Sequence, residues 1–145
     1  MPNTQLYTKE AAMAKATLII DSLALSKLRF VVAPFAPSQF TTKAELVAAE
    51  ANFSGYTAGG YTLTAWTGPS NKVTGGAGLL SPLVNPTFDG ADITPVTNVL
   101  SGFWVEDAGG DVRLVGTFDP TITMAAAGDT FPWIREIVEG LNVAV

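Results

Sequence analysis

The stretch LSGFWVEDAGGDVRLVGTFD, Leu100 to Asp119, sets four carboxylates, one arginine and one tryptophan around a double glycine. Phe103 and Val105 alternate with Trp104 and Glu106; after Asp107-Ala108-Gly109-Gly110-Asp111 a second alternation sets Val112 and Leu114 against Arg113 and Val115. Period two on both sides of a glycine pair is the signature of a β-hairpin, whose turn uses Gly for positive φ and Asp for side-chain bonds to backbone. The acids therefore gather because a turn favours Asp. A calcium loop would need six to eight converging oxygens, and neither this segment nor Asp89-Gly90-Ala91-Asp92 runs on into such a ladder of ligands. On this pattern Trp104 belongs to the outward face of its strand.

Outward from the hairpin, the same reading extends to most of the chain. Thr8 can cap a helix through about Leu25, in which Met13, Ala16, Ile20 and Leu23 form one apolar stripe. Lys27 to Ala33 alternates as a half-buried strand, with Leu28, Phe30 and Val32 opposite Lys27, Arg29 and Val31, before Pro34 and Pro37 interrupt it. Thr42-Lys43-Ala44-Glu45 is a capping box for a second, short helix, which gives Glu45 a structural task. From Phe53 onward the helical period is lost. Strands are expected at Tyr61 to Thr67, Leu83 to Phe88, Thr97 to Glu106, Val112 to Phe118, Ile122 to Met124 and Ile134 to Val145, and the glycine-rich Gly68 to Gly78 reads as a long connection. The expected fold is mainly β within the α+β class: an antiparallel β-sandwich or jelly-roll-like unit at 27–145, preceded by an N-terminal helix and lead-in at 1–26, and forming one globular body with it.

Composition narrows the chemistry. The 145 residues contain neither cysteine nor histidine. Thiol nucleophiles, disulfides and thiolate zinc sites are excluded, as is the side chain most used for proton transfer near neutral pH. Ser54 and Ser101 precede glycines without an evident activating base, and Gly75-Gly76-Ala77-Gly78 lacks the Lys-Ser or Lys-Thr of a phosphate loop. No catalytic residue, cofactor or metal site is expected, so the chain reads as a non-enzyme. A histidine-free hydrolase would require two carboxylates facing each other across a cleft. The formal net charge of −5, with only 14% charged residues, gives no long-range attraction to nucleic acid or an anionic membrane. No run approaches the roughly 20 apolar residues that span a bilayer, and the short apolar run Ala16 to Ile20 ends at Asp21 without a secretory pattern, so a soluble protein is expected. Low charge with 48% hydrophobic residues fits a subunit that keeps apolar surface for neighbours.

Tyr56, Tyr61, Trp66, Trp104 and Trp133 are the candidate interaction residues. Aromatics on a sheet face can stack on sugar rings, and they equally fill half-buried sheet positions and subunit interfaces.

One resemblance adds to this. The order LIIDSLALSKLRFVVAPFAPS (18–38), NFSGYT (52–57), AWTGP (65–69), TNVLSGFWVEDAGGD (97–111) and GDTFPWI (128–134) resembles small structural proteins of tailed bacteriophages, from about Thr17 to Val145. Phe53, Gly55 and Tyr56 match the segment that opens the β region, Phe103 and Trp104 the aromatic hairpin, and Gly128 and Asp129 the turn before the last strand. Trp133 to Asn142 is more charged than that pattern. The resemblance implies a β-sandwich on a virion, assembled after synthesis in the host cytoplasm, either decorating the capsid or serving in tail or fibre parts. Its implied partners are the major capsid or a tail protein and further copies of itself, a trimer being one closed form. A tail-associated carbohydrate-binding module for host attachment, with a glycan as partner, is the alternative.

Overall fold

The computed structural model describes residues 9–57, 59–71, 77–89 and 98–139. They form α1 (Lys9–Ser22), β1 (Ser26–Val32), α2 (Lys43–Ala48), β2 (Tyr61–Leu63), β3 (Thr67–Asn71), β4 (Ala77–Leu80), β5 (Asn98–Glu106), β6 (Val112–Met124) and β7 (Glu136–Glu139). The strands make two antiparallel sheets, ordered β2-β1-β5-β6 and β3-β4-β7, so the protein is mainly β with sandwich-like character and two helices.

The alternation in β1 and β5 builds the main core. Leu28 lies opposite Val105 and Phe30 opposite Phe103, and all four turn inward. Segments joined by the bridges Val84–Trp133 and Thr87–Thr130 close over them, contributing Phe88, Phe131 and Trp133. Phe30 packs edge-on against Phe131 at 5.2 Å, and Phe103 against Trp133 at 5.3 Å. Each fully buried side chain of this size contributes roughly 1.5–3 kcal/mol. Helix α1 lays Ala16 against Leu79 of β4 and sends Leu23 into the main core, as its stripe predicts. It ends at Ser22 in a turn that places Leu25 at φ 59.

The outer face of the four-stranded sheet is covered as well. Val31 and Trp104 are buried beneath Leu46 of α2, with Phe35, Ala49, Val112 and Val115 around them. The capping box is present: the Thr42 amide donates to Glu45 Oε2 at 2.7 Å, and Thr42 Oγ1 accepts from the Glu45 amide.

Several sequence expectations are corrected. Gly68 to Gly78 is not one long connection, because Thr67–Asn71 and Ala77–Leu80 pair as strands; 72–76 lie outside the described residues. The pairing brings Gly68 onto the Gly78 carbonyl, where a Cβ would sit 2.7 Å away, so glycine here serves close approach. Leu83 to Phe88 carries isolated bridges in place of a strand. Val112 to Phe118 and Ile122 to Met124 belong to a single strand, whose residues 118–121 step around Ser101. Tyr61 to Thr67 is not one strand, since β2 ends at Leu63 and Thr67 already begins β3, and the final strand is Glu136–Glu139, with 140–145 outside the described residues. Thr8 lies outside them too. Val112 and Leu114 do not share a face, because β6 gains a residue at Arg113 relative to β5 and Val112 turns outward.

Candidate functional site

The β5–β6 hairpin is present, and Asp107 serves its turn. Asp107 Oδ1 accepts from the amides of Gly109 and Asp111, and Asp107 Oδ2 takes Arg113 Nε at 2.7 Å. The Asp111 amide, followed by the Arg113 guanidinium, holds the Asp107 carboxyl below its ordinary range. Among the described residues no three acids converge as a metal site.

The polar cluster lies elsewhere, on the outer face of the four-stranded sheet. Arg29 of β1 stands opposite Trp104 of β5, its guanidinium 5.6 Å from the indole centroid. One end of the guanidinium meets Glu106 Oε1 at 2.6 Å and the other meets Glu50 Oε2 at 3.2 Å. Lys43 of α2 stands 3.2 Å from Glu106 Oε2, an ion pair without hydrogen-bond alignment, and donates to the Gly110 carbonyl. Glu106 is buried, which a carboxylate tolerates only with such partners.

Glu50 faces two ways. Its Oε1 accepts from the Tyr56 hydroxyl at 2.8 Å at the rim of a shallow cleft of about 350 Å³, lined by Glu50, Ala51, Asn52, Phe53, Tyr56 and Gly59. The cleft forms where the 49–53 segment takes over from β2 along the margin of β1, through the Val31–Glu50 bridge and the Ala51 amide on the Phe30 carbonyl. Burial, then the Glu50 carboxylate, pushes the Tyr56 phenol far above its ordinary value. It remains a hydrogen-bond donor throughout the neutral range. The arrangement sets a carboxylate and a phenol, bonded to each other, beside an aromatic edge, and it holds no activated nucleophile.

The five aromatic candidates do not form one surface. Tyr56 and Tyr61 meet edge-on at 5.6 Å beside the cleft, both half-buried. Trp66 is half-buried between α1 and the main core. Trp104 and Trp133 are fully buried, correcting the outward placement of Trp104: that face is outward from the sheet but lies beneath α2 and Arg29. The sequence does not bring Arg29, Lys43, Glu50, Asn52 and Glu106 together: Arg29 and Glu106 show only as charges alternating with buried positions in their strands, Lys43 only within the capping box, and Glu50 and Asn52 give no sign.

The fold and this cluster define a two-sheet, mainly β protein with a charged network on one sheet face and a small polar-aromatic cleft beside it. No protein-family model, curated protein or solved structure matches the chain.

Proposed function

We propose that this chain is a non-enzymatic structural protein of a tailed-bacteriophage virion, most simply a capsid decoration protein that binds the shell lattice and other copies of itself. The observation that carries the reading is a group of exposed apolar side chains at one end of the smaller sheet. Leu80, Leu83 and Ile134 are 40%, 62% and 42% exposed. They sit on adjoining segments, since Leu80 pairs with Glu136, the Ser81 amide bonds the Arg135 carbonyl, and Val84 bridges Trp133. Exposed apolar residues brought together in this way favour a protein partner. Modest contacts suffice when a lattice repeats them many times. The resemblance to phage structural proteins supplies the choice of partner.

The test images particles that carry or lack this chain, with co-sedimentation of the purified protein on shells lacking it. Ordered density on the shell, and binding lost in Leu83→Asp/Ile134→Asp, are expected. A protein that folds yet leaves shells bare would remove the proposal.

The cleft favours a second reading, a tail-associated glycan-binding module, because Glu50, Tyr56 and Asn52 present polar groups beside an aromatic edge. Glycan-array binding abolished by Tyr56→Ala and kept by Leu83→Asp would select it.

A further inference from the structure

The described strands leave one long margin. β6 has 13 residues and pairs on one side only, with β5. The other margins, β2, β3 and β7, have three, five and four residues. An edge strand turns every second N–H and C=O outward, and proteins usually blunt it by shortness, lysine, proline or a bulge. Val112 to Asp119 has no lysine and no proline; toward β5 it carries a bulge at Arg113 and enters the widened step of 118–121 opposite Ser101, which leaves Leu114 to Thr117 as its regular stretch. Apart from its ladder with β5, no backbone bond from 112–124 to another element is present among the described residues.

We propose that the β6 edge is the interface between two copies of this chain, paired antiparallel about a twofold axis at Gly116. Two sheets continue with their inner faces on the same side only if facing residues have the same parity, so the axis must pass through a residue. With the axis at Gly116, Leu114 faces Phe118 of the second copy, joining two half-buried residues that already belong to the main core. Val115 faces Thr117 of the second copy on the outer side. Arg113 faces Asp119 of the second copy, and symmetry repeats that opposite-charge pair. Moving the axis to Val115 would set Asp119 against Asp111 of the second copy, acid against acid. Moving it to Thr117 would set Arg113 against Thr121 and Asp119 against Val115, leaving both charges unpaired across the contact. Both charges are exposed and able to turn toward a neighbour; Arg113 exchanges its pairing with Asp107 and Asp111 for one across the axis. The contact would join two four-stranded sheets into one of eight strands, the strand-addition mode of recognition.

The dimer does not depend on the virion reading, and shell binding is measured separately, so either can fail alone. Sedimentation equilibrium of the full chain should give a dimer. Arg113→Asp and Asp119→Arg should each weaken it roughly tenfold or more, and Arg113→Asp/Asp119→Arg should restore it. The chain has no cysteine, so a cross-link is unambiguous. Oxidising a mixture of Val115→Cys and Thr117→Cys proteins should yield a covalent dimer that neither yields alone. A monomeric or trimeric native mass, a double variant as weak as the singles, or cross-linking within a single-cysteine protein would each overturn the proposal.

Discussion

Arg29 Nη2 lies 2.6 Å from Glu106 Oε1 across the β1–β5 ladder, with the two side chains only 19% and 5% exposed. This pair fixes the sheet's outer face. Glu106 could not be buried as a carboxylate without it, and Trp104, directly opposite Arg29, lies under the guanidinium. The same arginine holds Glu50 in place for Tyr56, so the cleft geometry depends on a residue that does not line it.

Glu106→Gln should therefore destabilise the fold by about 2–3 kcal/mol, below the roughly 3–5 kcal/mol typical of a fully buried broken pair, because Arg29 keeps Glu50 and some water. Arg29→Met/Glu106→Leu should recover part of that loss, since an apolar pair of similar volume leaves no buried charge. Urea unfolding of the two variants beside the wild type provides the check. A Glu106→Gln protein within about 0.5 kcal/mol of wild type would show the pair to be ornamental.

Acid should weaken the protein through two turns. Asp107 is held low by the Asp111 amide and then Arg113, and Asp129 by the amides of Ala126 and Ala125. A carboxyl whose folded pKa is depressed contributes its full stability above the unfolded value, here 3.8, and loses it as pH falls through the lower folded value. The melting temperature should thus fall with increasing steepness below about pH 4. Asp107→Asn and Asp129→Asn should each flatten that acid limb. Thermal melts between pH 2 and 7 decide it, and an unchanged limb in both variants would reassign the acid sensitivity to other groups.

The features legible in the sequence were those whose causes are local. The capping box at Thr42 and Glu45, the stripe of α1 and the turn at Asp107 each depend on residues a few positions apart. The Gly68 to Gly78 pairing escaped notice because glycine carries no periodicity, although its backbone pairs well enough once two strands approach closely. The burial of Trp104 was hidden for another reason: alternation gives a face, and only the docking of α2 shows that both faces are covered. The Arg29, Glu50 and Glu106 cluster joins three distant segments, and no spacing rule connects them.

Backbone conformation gives a prediction of opposite signs. Gly55 has φ +90, and a Cβ there would lie 2.4 Å from the Thr87 carbonyl oxygen. Gly55→Ala combines left-handed strain with a backbone collision and should cost about 2–4 kcal/mol. Leu25 has φ 59 and is 60% exposed, so Leu25→Gly relieves about 1–2 kcal/mol of strain while giving up some unfolded-state restriction. A net gain of about 0.5–1 kcal/mol is expected. Denaturant midpoints report both. A Leu25→Gly protein less stable than wild type would mean that the leucine side chain makes contacts worth more than its strain.

Trp104 tests what holds the outer layer. It is fully buried against Val31 and Leu46, yet its Nε1 has no acceptor among the described residues. An unpaired buried N–H is a cost to the wild type, so replacing the indole with a smaller ring forfeits volume while removing that cost. Trp104→Phe should lose no more than about 1.5 kcal/mol, whereas Trp104→Ala, which opens a cavity beneath α2 and Arg29, should lose about 3–5 kcal/mol. Equilibrium unfolding separates the two, with tryptophan fluorescence from Trp66 and Trp133 still available as a signal. If Phe proves nearly as damaging as Ala, the indole N–H has a partner, and the layer is held by a hydrogen bond in addition to packing.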